Sequence, residues 1–142
     1  ATGAELSKFK SKVEQVADAQ KMAYGETAKA FELAGSAMPE LLKSADALGK
    51  VSSSAITLSK ASGEDLESSI RSLTGTMNQF SLGAEQSERT INVLAAGAKV
   101  GAASIAQTSE AMVNFGSVAA GANLSVEQAV GAVQVAVAEP PT

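Results

Sequence analysis

The sequence predicts an all-α protein. It predicts one or two long N-terminal helices, then short antiparallel helices in units of about 21 residues, and no sheet. Three observations carry this. Only three prolines interrupt 142 residues that are rich in strong helix formers. Apolar residues recur at spacings of three and four, the period of one helix face. From residue 62 onward a helix-start signal returns every 21 residues. The length suits one domain with a modest core. Apolar residues make up 45% but aromatics only 4%, with no Trp, so much of the apolar content is Ala. Ala buries little area per residue, so the core is expected to be thin for its length. Such a chain gains stability from close backbone approach, from partner chains, or from both.

Residues 4–34 read as one long helix, with Leu6, Phe9, Val13, Val16, Ala17, Gln20, Tyr24, Ala28 and Phe31 on its stripe. Lys8, Lys12, Glu14 and Lys21 fall on other faces. The stripe is close to a weak coiled-coil seam, and a surface helix packed on its own domain fits equally well. Gly25 weakens the middle and marks a possible bend. "GSAMPE" breaks the pattern, and Pro39 suits the first turn of a second helix running through Leu41, Leu42, Ala45 and Leu48 toward Leu58. Within it "GKVSSSA" is a poor helical stretch, because Ser competes for backbone hydrogen bonds, and a kink or loosened turn is expected there. Residues 1–61 are thus an extended, coiled-coil-like lead-in. Residues 62–142 are an Ala-rich helical core.

In that core the starts fall at Ser62, Gly83, Ser104 and Ser125. Each is followed three residues later by Asp65, Gln86, Gln107 or Gln128. This is a capping box or a weaker relative of it: the first side chain accepts from an orphan N–H of the first turn, and the residue three on reaches back. Gly83 offers no side-chain acceptor, and Asp65 is short for the return bond although its charge suits a helix N-terminus. The candidate caps are therefore Ser62, Gly83, Ser104 with Gln107, and Ser125 with Gln128. The apolar positions keep the same register. Ile70, Ile91, Met112 and Val133 hold one slot; Leu73, Leu94, Phe115 and Ala136 hold the slot three residues on. Leu66 and Met77 extend the first unit's stripe. The links "FSLG", "VGAA" and "GANL" are short, which favours antiparallel neighbours. The Gly97 and Gly101 pair is read as ordinary close packing or a turn, not as a dimer motif.

Function classes narrow by composition. The chain has no Cys and no His, which removes most transition-metal sites, thiol chemistry and the commonest neutral-pH proton shuttle. The net charge of −4 gives no electrostatic case for binding nucleic acid. Glu64, Asp65 and Glu67 cluster in a first turn, where they complement the helix dipole. Lys8, Lys10 and Lys12 are flanked by Glu5 and Glu14 and read as a solvated face. "TGTMNQFSLG" lacks the Lys-Ser/Thr pair of a phosphate loop. No enzyme, metal, cofactor or small-molecule substrate is expected. After Thr90 the only charged residues are Lys99, Glu110, Glu127 and Glu139. That sparse charge fits either a compact Ala-rich bundle or a surface that packs on other subunits. A membrane span is not expected, since the uncharged run at residues 111–126 is shorter than the roughly 20 apolar residues required and holds Asn114 and Asn123. The chain starts without Met and stops abruptly after "VAVAEPPT", so it is expected to be a fragment of a longer chain.

Residues 56–133 resemble the core region of phage tail tape measure proteins of the TP901 type. The resemblance rests on ordered pieces. Phe80, Ser81 and Leu82 form a link followed by Glu85. Val93, Leu94, Ala95 and Ala96 make a "VLA-A" helix, and Ser104 starts the next. The closing signature is Gly116, Ala119, Asn123, Leu124, Ser125 and Glu127. Asn92 stands where the family often has Asp, and "KVGAA" replaces the usual Asn or Lys before Ser. The resemblance implies structural work: tail length determination, tail tube assembly and a part in genome ejection. It implies as partners copies of the chain itself and tail tube or baseplate proteins. It places the chain in the virion tail lumen or tail tip, and in the bacterial cytoplasm during assembly. Specific nucleic-acid binding is not expected, and membrane contact during ejection has no support in the residues. Two other readings compete. A helical adaptor or signalling coiled coil would need long unbroken heptads, which the 21-residue breaks oppose. A membrane-active helical injection module is motivated only by the low charge after Thr90.

Overall fold

The computed structural model describes residues 3–100, 104, 105, 107, 108, 110, 111 and 124–138. Most of its described residues are helical, with no strand among them, in keeping with the all-α class. The helices are α1 (Gly3–Gln20), α2 (Tyr24–Ala37), α3 (Ala45–Ser62), α4 (Leu66–Gln79), α5 (Ser87–Val100) and α6 (Val126–Ala138). Short 3-10 turns, Pro39–Lys43 and Ala84–Gln86, precede α3 and α5. Residues 105, 107, 108, 110 and 111 are helical and follow Ser104.

The single helix expected over residues 4–34 is two helices, and the lead-in is folded back rather than extended. Lys21 takes a left-handed conformation (φ 53°). The Lys21 N–H donates to the Asp18 carbonyl and the Met22 N–H to the Ala17 carbonyl, at 3.3 and 2.9 Å. These are the two bonds of a Schellman motif, with half-buried Met22 supplying its usual apolar contact. Gly25, the expected bend, lies one residue inside α2 instead. The same motif ends α4: Ser81 is left-handed (φ 53°), and Ser81 and Leu82 donate to Asn78 and Met77. The usual glycine is missing at both stops, so nothing local announced the first one.

Pro39 opens a 3-10 turn, as its fixed φ suits, but the long helix begins only at Ala45. Ser44 caps it, accepting from the Ala47 N–H at 3.2 Å. The expected kink at "GKVSSSA" is absent. α3 is continuous through it, with Val51, Ser52, Ser54 and Ala55 buried. Burial against four neighbouring helices overrides the weak intrinsic propensity of the serines. α3 ends at Gly63, left-handed at φ 76°, whose N–H donates to the Ser59 carbonyl.

Contacts between helices set the topology. Lys12 pairs with Asp46 at 2.8 Å, and Gln20, at the other end of α1, bonds Ser53 and Thr57. Later residues of α1 thus meet later residues of α3, so the two run parallel. α5 runs parallel to α3: Ser54 meets Ser87, and Ala61 lies near Ala95 and Ala98. α6 runs parallel to α5, since Arg89 meets Glu127 and Gly97 meets Val130 and Gln134. The helices α1, α3, α5 and α6 therefore form a row of parallel neighbours. α2 packs on α1 and α3, and α4 on α3 and α5, and α2 and α4 touch each other. From α1 to α5 consecutive helices reverse while alternate helices align, the arrangement of stacked helical hairpins. One apolar cluster runs through the stack, from Val13 and Val16 through Phe31, Ile56, Leu73 and Leu94 to Val133.

Candidate functional site

For a chain expected to do structural work, the residues of interest hold helices in register and form surfaces for neighbours. The caps come first. Ser104 and Gln107 form a reciprocal box: the Gln107 N–H donates to Ser104 Oγ at 3.1 Å and the Ser104 N–H to Gln107 Oε1 at 2.9 Å. Ser125 and Gln128 repeat it at 3.2 and 2.9 Å. Each box satisfies two backbone N–H groups at the helix entry. Gly83 precedes the Ala84–Gln86 turn and gives no side-chain cap. Ser62 is a correction. It is the last residue of α3, and its Oγ accepts from the Glu64 N–H at 3.2 Å. The N-cap of α4 is Asp65, which accepts from the Ser68 N–H at 2.7 Å. A carboxylate there suits the positive end of the helix dipole, and the left-handed Gly63 puts Ser62 on the wrong side of the turn.

Of the predicted packing positions, Ile70, Leu73, Ile91, Leu94 and Val133 are buried; Met112 and Phe115 lie outside the described residues. Ala136, grouped with Leu73 and Leu94, is exposed on α6. Sequence reasoning missed a polar component of the helix contacts. Ser54 and Ser87 share a buried hydrogen bond of 2.9 Å between α3 and α5. Gln134 donates to Thr108 at 2.7 Å, also buried, joining α6 to the segment after Ser104. Thr74, Thr76, Thr90 and Thr108 each return their hydroxyl to the carbonyl four residues back, which lets them pack inside without an unmet donor. No spacing in the sequence pairs Ser54 with Ser87, because the partners lie 33 residues apart.

Two ion pairs tie elements across the stack. Arg89 grips Glu127 with two bonds, Nε to Oε1 at 2.6 Å and an Nη to Oε2 at 2.7 Å, joining the starts of α5 and α6. That hydrogen bonding holds the Glu127 carboxyl below its ordinary range and raises the Arg89 guanidinium above its own. The hydrogen bond and charge of Lys12 likewise lower Asp46. Beside this second pair is an open cleft of about 820 Å³ between α1 and the turn before α3. Lys8, Phe9, Lys12, Leu42, Lys43 and Asp46 are among the residues lining it. Lys60 closes the other end of α1, donating to the Gln20 carbonyl, where a cation complements the helix C-terminus.

Among the described residues no group of three or more His, Cys, Asp or Glu is placed to hold a metal ion. No helix of the described residues is long and apolar enough to cross a membrane. The arrangement is one of neighbouring helices fastened by caps, hydroxyls and ion pairs. Residues 10–139 match the family model described as phage-related minor tail protein. The chain belongs to this family. It is a phage tail protein, and its tail role is structural. No curated protein and no solved structure gives a significant match. The match covers α2 to α6 and most of α1, so every cap, hydroxyl pair and ion pair described above falls inside the minor tail region.

Proposed function

We propose that this minor tail protein is a segment of a tail tape measure protein. It serves tail length determination and tail tube assembly, and forms part of the genome-ejection apparatus. It resides in the tail lumen or at the tail tip, where it contacts copies of itself and tube or baseplate proteins. Its role is one of assembly rather than catalysis. The observation that carries this reading is the coincidence of the tail-family match with a stack of short helices joined neighbour to neighbour over the same residues.

The test is an in-frame deletion of residues 3–138 in the phage gene, with tail lengths measured by electron microscopy. A segment stretched as one helix would shorten tails by roughly 200 Å at about 1.5 Å per residue. A folded stack, as long as its 18-residue helices, would shorten them by roughly 30 Å at most. Loss of tails would mean that the segment nucleates assembly. Tails of normal length and full infectivity would overturn the reading.

A further inference from the structure

The break between α1 and α2 contains no helix breaker. Gln20, Lys21, Met22 and Ala23 are all good helix formers, with no proline or glycine among them. Lys21 nevertheless stands at φ 53°, in the left-handed region that is costly for a residue with a side chain. α2 starts on Ala23, which supplies no side-chain cap. Its first turn thus lacks the acceptor that Ser44 gives α3 and Asp65 gives α4. The apolar stripe does not register the break either. Leu6, Val13, Gln20, Thr27 and Ala34 recur every seven residues, and so do Phe9, Val16, Ala23, Ala30 and Ala37. Two helices with separate seats have no need to keep one phase across their link. What holds the break is the seat of α1 on α3, and that seat is slight. On α1 the buried residues are Val13, Val16 and Ala17, whereas α3, of equal length, buries eight. The other fastenings are polar: Lys12 with Asp46, whose side chain is 89% exposed, Gln20 with Ser53 and Thr57, and Lys60 on the Gln20 carbonyl.

We propose that α1 is a two-position arm. In one position it lies folded on α3. In the other it leaves that seat and joins α2 as one helix over residues 3–37. The joined form removes the left-handed Lys21, and the carbonyls of Gln20, Lys21 and Met22 accept from the N–H groups of Tyr24, Gly25 and Glu26. α2 stays docked on α3 and α4 and serves as a ready nucleus, so α1 extends it without the cost of starting a helix. Against this stand the exposure of Val13, Val16 and Ala17 and the loss of the polar fastenings, so the folded position is the resting one. In the joined position the arm projects about 27 Å, at about 1.5 Å per residue, and presents Leu6, Phe9, Val13 and Val16 along one face. The inference concerns the chain itself, so its failure leaves the tail-length experiment standing.

The chain has no cysteine, so spin labels at Lys10→Cys and Ser36→Cys, both exposed, report the distance between the two helices. In the folded position the sites are close: Phe9 and Leu42 line one cleft, Gly35 sits against Leu42, and packed helix axes lie about 8–10 Å apart. In the joined helix the stretch from residue 10 to residue 36 measures about 39 Å. Two variants loosen the seat. Gly49→Leu wedges a side chain where a Cβ alone would lie 2.6 Å from Lys12 Cγ. Gln20→Ala with Lys60→Ala removes the polar fastening at the far end. Short distances should dominate in the parent. In the loosened chains a narrow long-distance population should grow, with no loss of helical circular dichroism. Ala23→Pro then isolates the cause. Ala23 already has φ −62°, the value proline fixes, so this change should keep the folded position with thermal stability unreduced. Proline breaks a continuous helix, so Ala23→Pro added to either loosened chain should cut the long-distance population about tenfold or more. A broad distribution with loss of helix on loosening overturns the proposal. So do unchanged distances in both loosened chains, or a long-distance population that survives Ala23→Pro.

Discussion

The buried hydroxyl pair between α3 and α5 gives the sharpest test of how this core is held together. Ser54 and Ser87 bond each other at 2.9 Å; Ser87 is 0% exposed and Ser54 is 8% exposed. Replacing one partner with Ala leaves the other hydroxyl buried without its bond, which costs about 1–3 kcal/mol. The Ala gains about 0.5 kcal/mol of helix propensity, so a net loss of about 0.5–2.5 kcal/mol is expected for each single variant. Ser54→Ala should cost more than Ser87→Ala, because it strands the hydroxyl with no access to water. The double variant removes both polar groups. It loses a bond worth about 1 kcal/mol net and gains about 1 kcal/mol of propensity, so it should be close to the parent in stability. The coupling energy should therefore equal the sum of the two single losses, about 1–5 kcal/mol. Urea unfolding followed by circular dichroism measures all four corners of the cycle. Single-variant losses that add in the double variant would refute the claim that this bond is a matched pair.

Other substitutions separate further parts of the account. Asp65→Ala should cost about 1 kcal/mol as a lost N-cap, while Ser62→Ala should change stability by no more than about half that, both read from urea midpoints. Leu94→Ala, at a fully buried site, should cost about 2–5 kcal/mol, against about 0.5 kcal/mol or less for exposed Leu42→Ala. Ser81→Gly should stabilise by about 1 kcal/mol, since the Schellman stop holds a left-handed residue with a side chain; an unchanged thermal midpoint would count against that geometry. Glu127 is held below the ordinary value of 4.5 by Arg89, so its contribution to stability is complete above that pH and is lost as pH falls through the lowered value. Glu127→Gln should flatten this acid limb in pH-dependent melts.

How legible the molecule was depended on how local each cause was. The boxes at Ser104 and Ser125 use partners three residues apart, and the stripe through Ile70, Leu73, Ile91 and Leu94 repeats a helix period, so both could be read from spacing. The stop at Lys21 could not, because its left-handed residue is not glycine and its cause is the seating of Met22 and the docking of Gln20 on α3. The serines of "GKVSSSA" misled for a related reason. Their propensity is weak in isolation, but small residues are what the crowded faces of α3 require. The 21-residue register points to Ser62 as a helix start, but the left-handed Gly63 separates the two helices and leaves the cap to Asp65. The Arg89–Glu127 grip spans 38 residues, and no pattern along the chain announces it.

The distribution of contacts has a physical consequence for a tail protein. Each helix of the row touches chiefly its immediate neighbours, so stability is approximately a sum of local helix and junction terms. α3 is held by α1, α2, α4 and α5, whereas among the described residues α6 meets α5, through Arg89 and Gly97, and the segment after Ser104, through Thr108. The edge helix α1 can leave by giving up two junctions, with α2 and α3, while α3 cannot move without breaking four. The thin, Ala-rich contacts keep each junction modest, because little apolar area is buried per residue. Grading of that kind makes the edge of the segment easier to open than its middle, so local opening at α1 should precede opening at α3.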